Sequence, residues 1–218
     1  MKHKSQTPSN FKATWVVLLT LLLGACRLGP PEVPLLASAR IAGDFGTYQL
    51  ARIGLVPAIY TAGIDSDTNE QRAALDSSLL GEFSASMAQE LVALTDDDFD
   101  EIPTSEPLRL GTYEPQTLIR IARRYRLDAL MFVHVTQRRP FPPQQLAMTA
   151  ELVAADTGLV IWTASVNLDA GHERVRDALR AFYFNTKKDL GTGGDWRLAL
   201  LSPSRFATFG SWQLARML

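Results

Sequence analysis

Residues 146–168, LAMTAELVAADTGLVIWTASVNL, decide the fold. Two apolar-rich runs, 146–155 and 159–168, flank Asp156-Thr157-Gly158. A short polar segment ending in glycine between two such runs is hairpin chemistry, because glycine takes the positive φ that closes a tight turn. Val and Thr occur in both runs, with Ile and Trp in the second, and all four suit a pleated, half-buried surface. Apolar residues fall on both faces, which predicts a second helical layer over these strands.

Working outward, residues 129–136 (ALMFVHVT) read as a strand entering the hairpin. Ahead of it a helix opens at Glu114-Pro115, with proline in the first turn, and continues through Leu118, Ile119, Ala122 and Tyr125. The first strand of the domain is 51–57 (ARIGLVP), followed by a loop rich in Gly63, Asp65, Ser66, Asp67 and Asn69. A long helix is predicted over 70–94 from Leu75, Leu79, Phe83, Met87, Leu91 and Leu94. Asp96, Asp97 and Asp98 end it, and Phe99 and Ile102 are expected in a short second strand.

After Gly171, a helix buries Val175, Ala178, Leu179 and Phe182, and Gly191 to Gly194 form a flexible joint. The last helix has Ser202 as cap, Pro203 at its first position, and Phe206, Phe209 and Trp212 along one side. The expected fold is α/β. It has a mixed five-stranded sheet in β-α-β-α-β-β-β order, helices packed on it and two C-terminal helices.

The N-terminus reads as an export signal. Lys2, Lys4 and Lys12 precede the 11 apolar-rich residues ATWVVLLTLLL at 13–23, and small Gly24 and Ala25 follow. A bilayer-spanning helix needs about 20 residues, so the run is too short for a permanent span. Leu23-Gly24-Ala25-Cys26 resembles the lipobox of bacterial lipoproteins, which implies cleavage before Cys26 and acylation of its thiol. The residue after the cysteine is Arg27 and not aspartate, which in the enterobacterial pattern implies the outer membrane. Several acyl chains give stable attachment where a single one is marginal. The expected divisions are a signal peptide at 1–25, a lipidated cysteine and tether at 26–50, and a periplasmic domain at 51–218. Gly29, Pro30, Pro31 and Pro34 deny the tether a helix.

Removing residues 1–25, which hold three lysines and no acid, takes the 218-residue chain from formal charge −1 to 193 residues at −4. That mild acidity argues against nucleic acid as a partner. Cys26 is the only cysteine, so no internal disulfide supports the fold.

Three phrases carry a wider resemblance: Arg52-Ile53-Gly54-Leu55-Val56-Pro57, Arg123-Arg124-Tyr125-Arg126-Leu127-Asp128-Ala129-Leu130, and Glu151-Leu152-Val153-Ala154-Ala155-Asp156-Thr157-Gly158. Over about residues 52–168 the chain resembles the periplasmic domain family of the TolB amino-terminal part, CsgG and LpoB. The resemblance implies an outer-membrane lipoprotein that faces the periplasm and works by protein contact in envelope assembly or secretion. The alternative it implies is a structural subunit of an oligomeric export apparatus, and hence a homo-oligomer. Residues 137–144 contain Pro140, Pro142 and Pro143 and are too short for a membrane-crossing hairpin.

Candidate chemistry is sparse. His3 is lost with the signal, His134 lies on the face of Leu130 and Phe132, where a hydrogen-bonded core histidine is expected, and His172 opens a surface turn. No convergent ligand set, G-x-S-x-G elbow or phosphate loop is present, so neither enzyme activity, metal nor cofactor is expected. Two surfaces qualify as contact sites. Arg120, Arg123 and Arg124, with Arg126, make a basic helix face for phosphate headgroups or an acidic partner, or an ordinary solvated face. Arg138, Arg139 and Phe141 lie at a stiff proline-rich turn, where arginine and aromatic anchors suit a protein partner.

Overall fold

In chain order the strands are β1 (Ser38–Ile41), β2 (Arg52–Leu55), β3 (Ile59–Tyr60), β4 (Glu90–Ala93), β5 (Leu108–Arg109), β6 (Thr112–Tyr113), β7 (Ala129–Arg139), β8 (Gln145–Ala154) and β9 (Val160–Asp169). The helices are α1 (Asn69–Ser86), α2 (Asp97–Asp100), α3 (Pro115–Tyr125), α4 (Glu173–Thr186) and α5 (Pro203–Ala215). These come from a computed structural model describing residues 32–61, 64, 67–100, 108–109, 111–113, 115–186 and 195–218. Cys26 with its signal segment, Ile102 and the Gly191-to-Gly194 joint lie outside the described residues.

The class is mixed α/β, but the main sheet has seven strands in place of the expected five, ordered β1-β9-β8-β7-β2-β4, with β3 also paired to β7. The predicted hairpin is its centre: β7, β8 and β9 pair antiparallel over their whole lengths. Gly158 takes φ 70° at the turn, and a Cβ there would stand 3.2 Å from Pro115 Cγ of α3. β2 and β4 run parallel to each other and to β7, as a helical crossover requires.

Two of the unexpected strands correct the sequence reading. The helix predicted to 94 stops at Ser86, and Met87 is extended (ψ 147°). Residues 90–93 then pair with β2, Arg52 meets Glu90 at 3.3 Å, and Leu94 N–H donates to Leu55 O. An 18-residue helix covers about 27 Å, by which point the chain has recrossed the sheet and can return beside β2. Phe99, expected in a strand, lies in α2. The other surprise is β1, formed by residues 38–41 of the expected tether on the free edge of β9. The strap before it is fixed by one side chain: Gln213 Nε2 donates to Pro34 O at 3.0 Å, and Leu36 N–H donates to Gln213 Oε1 at 2.7 Å.

One sheet face is fully covered. Leu75, Leu79 and Phe83 of α1, Val175, Leu179 and Phe182 of α4, and Phe206 and Phe209 of α5 form a single core with Met131, Val133, Met148 and Trp162. α5 comes in close at Gly210, where a Cβ would lie 2.8 Å from Leu146 Cδ2. The opposite face is covered only in part. Leu118, Ile121 and Ala122 of α3 pack with Leu130, Phe132 and Val153. Ser165 and Asn167 of β9 are exposed there, which corrects the expected second layer over both hairpin strands.

Candidate functional site

Only one of the two arginines at the proline-rich turn is on the surface. Phe141 is 68% exposed and Arg139 is exposed, but Arg138 is buried and its side chain faces the core. The cause is a bulge in β7. Val135 pairs with Met148 and Gln137 with Ala147, leaving Thr136 as the extra residue. Facing alternates along a strand, so one inserted residue turns Arg138 to the side of Val135.

There Arg138 Nε meets both carboxylate oxygens of Asp67, at 3.0 and 2.8 Å, and neither side chain is exposed. Tyr60 OH also donates to Asp67 (3.1 Å), and the Arg72 guanidinium lies 4.0 Å from the Tyr60 ring centroid. Burial, followed by the Asp67 charge, pushes the Tyr60 phenol well above its usual range. Asp67 precedes a reciprocal capping box, in which Gln71 N–H donates to Thr68 Oγ1 and Thr68 N–H to Gln71 Oε1. The start of α1 is thus tied to the end of β7 directly behind Phe141. Arg138 braces the turn, and the surface-anchor reading of it is withdrawn.

The arginines of α3 stand where the sequence placed them. Arg120, Arg123, Arg124 and Arg126 are all exposed. Arg126 adopts φ 56° to end the helix, and Arg124 lies 5.8 Å from the Tyr125 ring. Arg123 and Arg126 flank a groove lined by Ile119, Ala122, Leu127 and Ala155, with Asp128 and Asp156 also on its wall. This groove and the Phe141 turn lie at opposite ends of β7.

A third cluster escaped sequence reading except for its histidine. Tyr113 OH donates to Glu151 Oε2 at 2.6 Å, Gly111 N–H donates to the same oxygen at 2.9 Å, and His134 Nε2 lies 3.1 Å from Tyr113 Oη. The phenol proton belongs to the carboxylate, so His134 Nε2 must carry the proton shared with Tyr113, leaving Nδ1 bare. The chain runs His134 to Tyr113 to Glu151, all buried, with the Tyr113 ring stacked on Phe132 at 4.4 Å. It latches the β5–β6 hairpin to the sheet. The legible signal was a glutamate as the one charged residue of an apolar-rich strand, which needs a buried partner.

Burial holds the His134 pKa below the usual imidazole value, and the Glu151 charge opposes part of that shift. A depressed histidine leaves the unfolded chain binding more protons, so its contribution to stability is complete above about pH 6.5 and falls as pH drops beneath it. Asp98 and Asp169, whose carboxyls are held low by hydrogen bonds, act only in more acidic solution. Asp76 and Glu82, whose carboxyls burial holds high, act in the opposite sense as the solution is acidified. The His134 contribution is therefore read as a difference: His134→Gln, which keeps a donor for Tyr113, is expected to lose less melting temperature than wild type between about pH 6.5 and 5. An unchanged slope in thermal melts would place the titration elsewhere.

Among the described residues no group of three His, Cys, Asp or Glu side chains is placed to hold a metal ion. Among them, too, no helix is long and apolar enough to cross a membrane.

No protein-family model matches the chain, and no curated protein matches it. Among solved structures it is similar to a PelC dodecamer from Paraburkholderia phytofirmans, at 12% identity and TM-score 0.40 over 78% of this chain and 96% of that one. It is also similar to lipoprotein GNA1162 from Neisseria meningitidis, at 16% identity and TM-score 0.42 over 65% and 99%. A third is the LpoB C-terminal domain from Salmonella enterica, at 16% identity and TM-score 0.35 over 55% and 84%. Each is a similarity in chain path only.

Proposed function

We propose that this chain is a lipid-anchored, non-enzymatic lipoprotein of the bacterial outer membrane. Its α/β domain faces the periplasm and binds another envelope protein in assembly or secretion. The observation that carries the contact is Phe141, a large apolar side chain 68% exposed on a turn with three prolines. Proline lowers the entropy lost when such a turn is ordered by a partner, and the buried Arg138–Asp67 pair fixes the strand behind it. Arg139 beside it supplies a fork for a partner carboxylate.

Two arms test this. Cys26→Ser should release the protein from the membrane fraction or leave an uncleaved precursor; unchanged attachment with a normal mature N-terminus would sink the anchor. Arg139→Ser with Phe141→Ser should keep the wild-type melt yet weaken recovery of cross-linked envelope partners about 30-fold or more, the loss of ~2 kcal/mol of anchor energy. Equal recovery would leave the segment a plain turn.

An oligomeric export subunit is the second reading, favoured by open sheet edges. Among the described residues β1 and β4 end the strand order, each with a hydrogen-bonded neighbour on one side, and all four β1 residues are exposed. Light scattering separates the two readings by mass.

A further inference from the structure

We propose that the crevice outside the carboxyl ends of β2 and β4 binds a primary alkylammonium group, with Asp76 as its counter-ion. The site is independent of the Phe141 turn and of the lipid anchor.

The two strands part there for a local reason. Leu55 and Ala93 are the last registered pair, and Leu94 N–H donates to Leu55 O at 2.9 Å. Pro57 has no N–H to continue the ladder, and Val56 N–H is given to Met131 O on the β7 side. Beyond this point the chain leaves toward opposite faces of the sheet. α1, which leads from β2 to β4, packs Leu75 and Leu79 on one face, and α3, which leads from β4 to β7, packs Leu118 and Ile121 on the other. Neighbouring parallel strands whose helices diverge leave a crevice at their carboxyl ends, the place where open α/β sheets take ligands.

Here the crevice measures about 210 Å³. Leu55, Pro57, Leu80, Ala93 and Leu94 form apolar walls, and Asp76 and Ser77 of α1 supply the polar groups. Asp76 Oδ1 accepts Ala58 N–H at 2.8 Å, and Oδ2 has no hydrogen-bond partner among the described residues. Burial, opposed by the Ala58 bond, holds the Asp76 carboxyl above its usual range, and the Asp96 charge adds to the rise. Arg72, one turn earlier, lies over the Tyr60 ring at 4.0 Å and donates to Ile64 O at 3.4 Å, so it offsets the two acids only in part. An entering cation relieves a charge that burial disfavours, and its donors can meet Oδ2 and, at the rim, the Ser77 hydroxyl. One carboxylate among apolar walls suits an ammonium rather than a metal ion, which needs three or four convergent ligands. An apolar cavity of about 150 Å³ holds one benzene ring, so this crevice takes a chain of about four to six carbons behind the ammonium.

The test titrates the full-length protein, in neutral detergent, with n-butylammonium chloride. n-Butanol serves as the uncharged match, and lysine blocked at both backbone ends as the side-chain form of the same cation. Saturable shifts of the Ala58 and Leu94 amides in NMR spectra are expected with n-butylammonium, and n-butanol should bind about tenfold more weakly or worse, for want of a charge-assisted hydrogen bond. Asp76→Asn keeps an oxygen for Ala58 N–H and should weaken n-butylammonium by the same factor of about ten or more. Ser77→Leu, which fills the mouth from α1, should abolish binding and retain the wild-type melt. Blocked lysine that saturates like n-butylammonium assigns the site to a lysine of a partner chain, and saturation by n-butylammonium alone assigns it to a free amine; both support the ammonium site. Absence of saturation with either cation, n-butanol as strong as n-butylammonium, or equal affinity in Asp76→Asn overturns it. The comparison of n-butylammonium with n-butanol needs no variant and decides the point even where Asp76→Asn fails to fold.

Discussion

Asp67→Ala is expected to lower the unfolding free energy by about 3–5 kcal/mol, out of a total that for domains of this kind is about 5–15. The cost arises from what remains. Arg138 keeps a buried charge whose carboxylate is gone, and Tyr60 loses the acceptor of its hydroxyl. A surface ion pair such as Arg180–Asp177, more than half exposed on both sides, would contribute at most about 1 kcal/mol. The double variant Asp67→Leu with Arg138→Met separates the two origins. If the single loss is the penalty of a buried charge that has lost the Asp67 carboxylate, the apolar pair recovers most of it, because burying two charges is itself costly. Urea unfolding of the three proteins decides the point. A single variant within about 1 kcal/mol of wild type would show that water reaches the pair and that it does not brace the Phe141 turn.

The same residue shows where sequence reading stops. The hairpin around Gly158 is legible because its signals are local: glycine at a positive φ between two strand-forming runs. α3, α4 and α5 are legible through their caps and apolar spacing. β4 is not, because Leu91 and Leu94 continue the stripe of Leu79, Phe83 and Met87, and a helical period fits them as well as a strand does. Only the demand for a parallel neighbour of β2 resolves that ambiguity, and that demand is not local. β1 carries no apolar alternation to read, since all four residues are exposed and its identity comes from pairing with β9. The proline-rich turn was legible in part. Phe141 and Arg139 are where their sequence predicts, but a bulge at Thr136 has no local signature, and it sends Arg138 inward. For the His134 cluster the histidine's burial was foreseeable. Its partners came from residues 21 and 17 positions away, joined by the sheet and the β5–β6 hairpin.

Deleting residues 205–218 should abolish the folded domain. Phe206, Phe209 and Leu214 are fully buried, and at about 1.5–3 kcal/mol each their loss alone removes roughly 5–9 kcal/mol, comparable to the whole stability of an ordinary domain. The deletion also strips the sheet. Trp162 Nε1 loses Met217 O, and Leu146 and Met148 lose the helix backbone that Gly210 lets approach them. The strap loses both hydrogen bonds to Gln213, so the segment leading into β1 is freed from its only side-chain clamp among the described residues. Loss of the far-ultraviolet melting transition and accumulation in the insoluble fraction are the expected results. Gln213→Leu gives the graded version: it removes the clamp and leaves the aromatic stripe in place. It should leave the main melt within about 2 kcal/mol of wild type, the worth of two hydrogen bonds, while backbone amides near residues 34–41 gain hydrogen exchange. A truncated chain that kept the wild-type melting temperature would make α5 an appendage and place the core of this face on α1 and α4 alone.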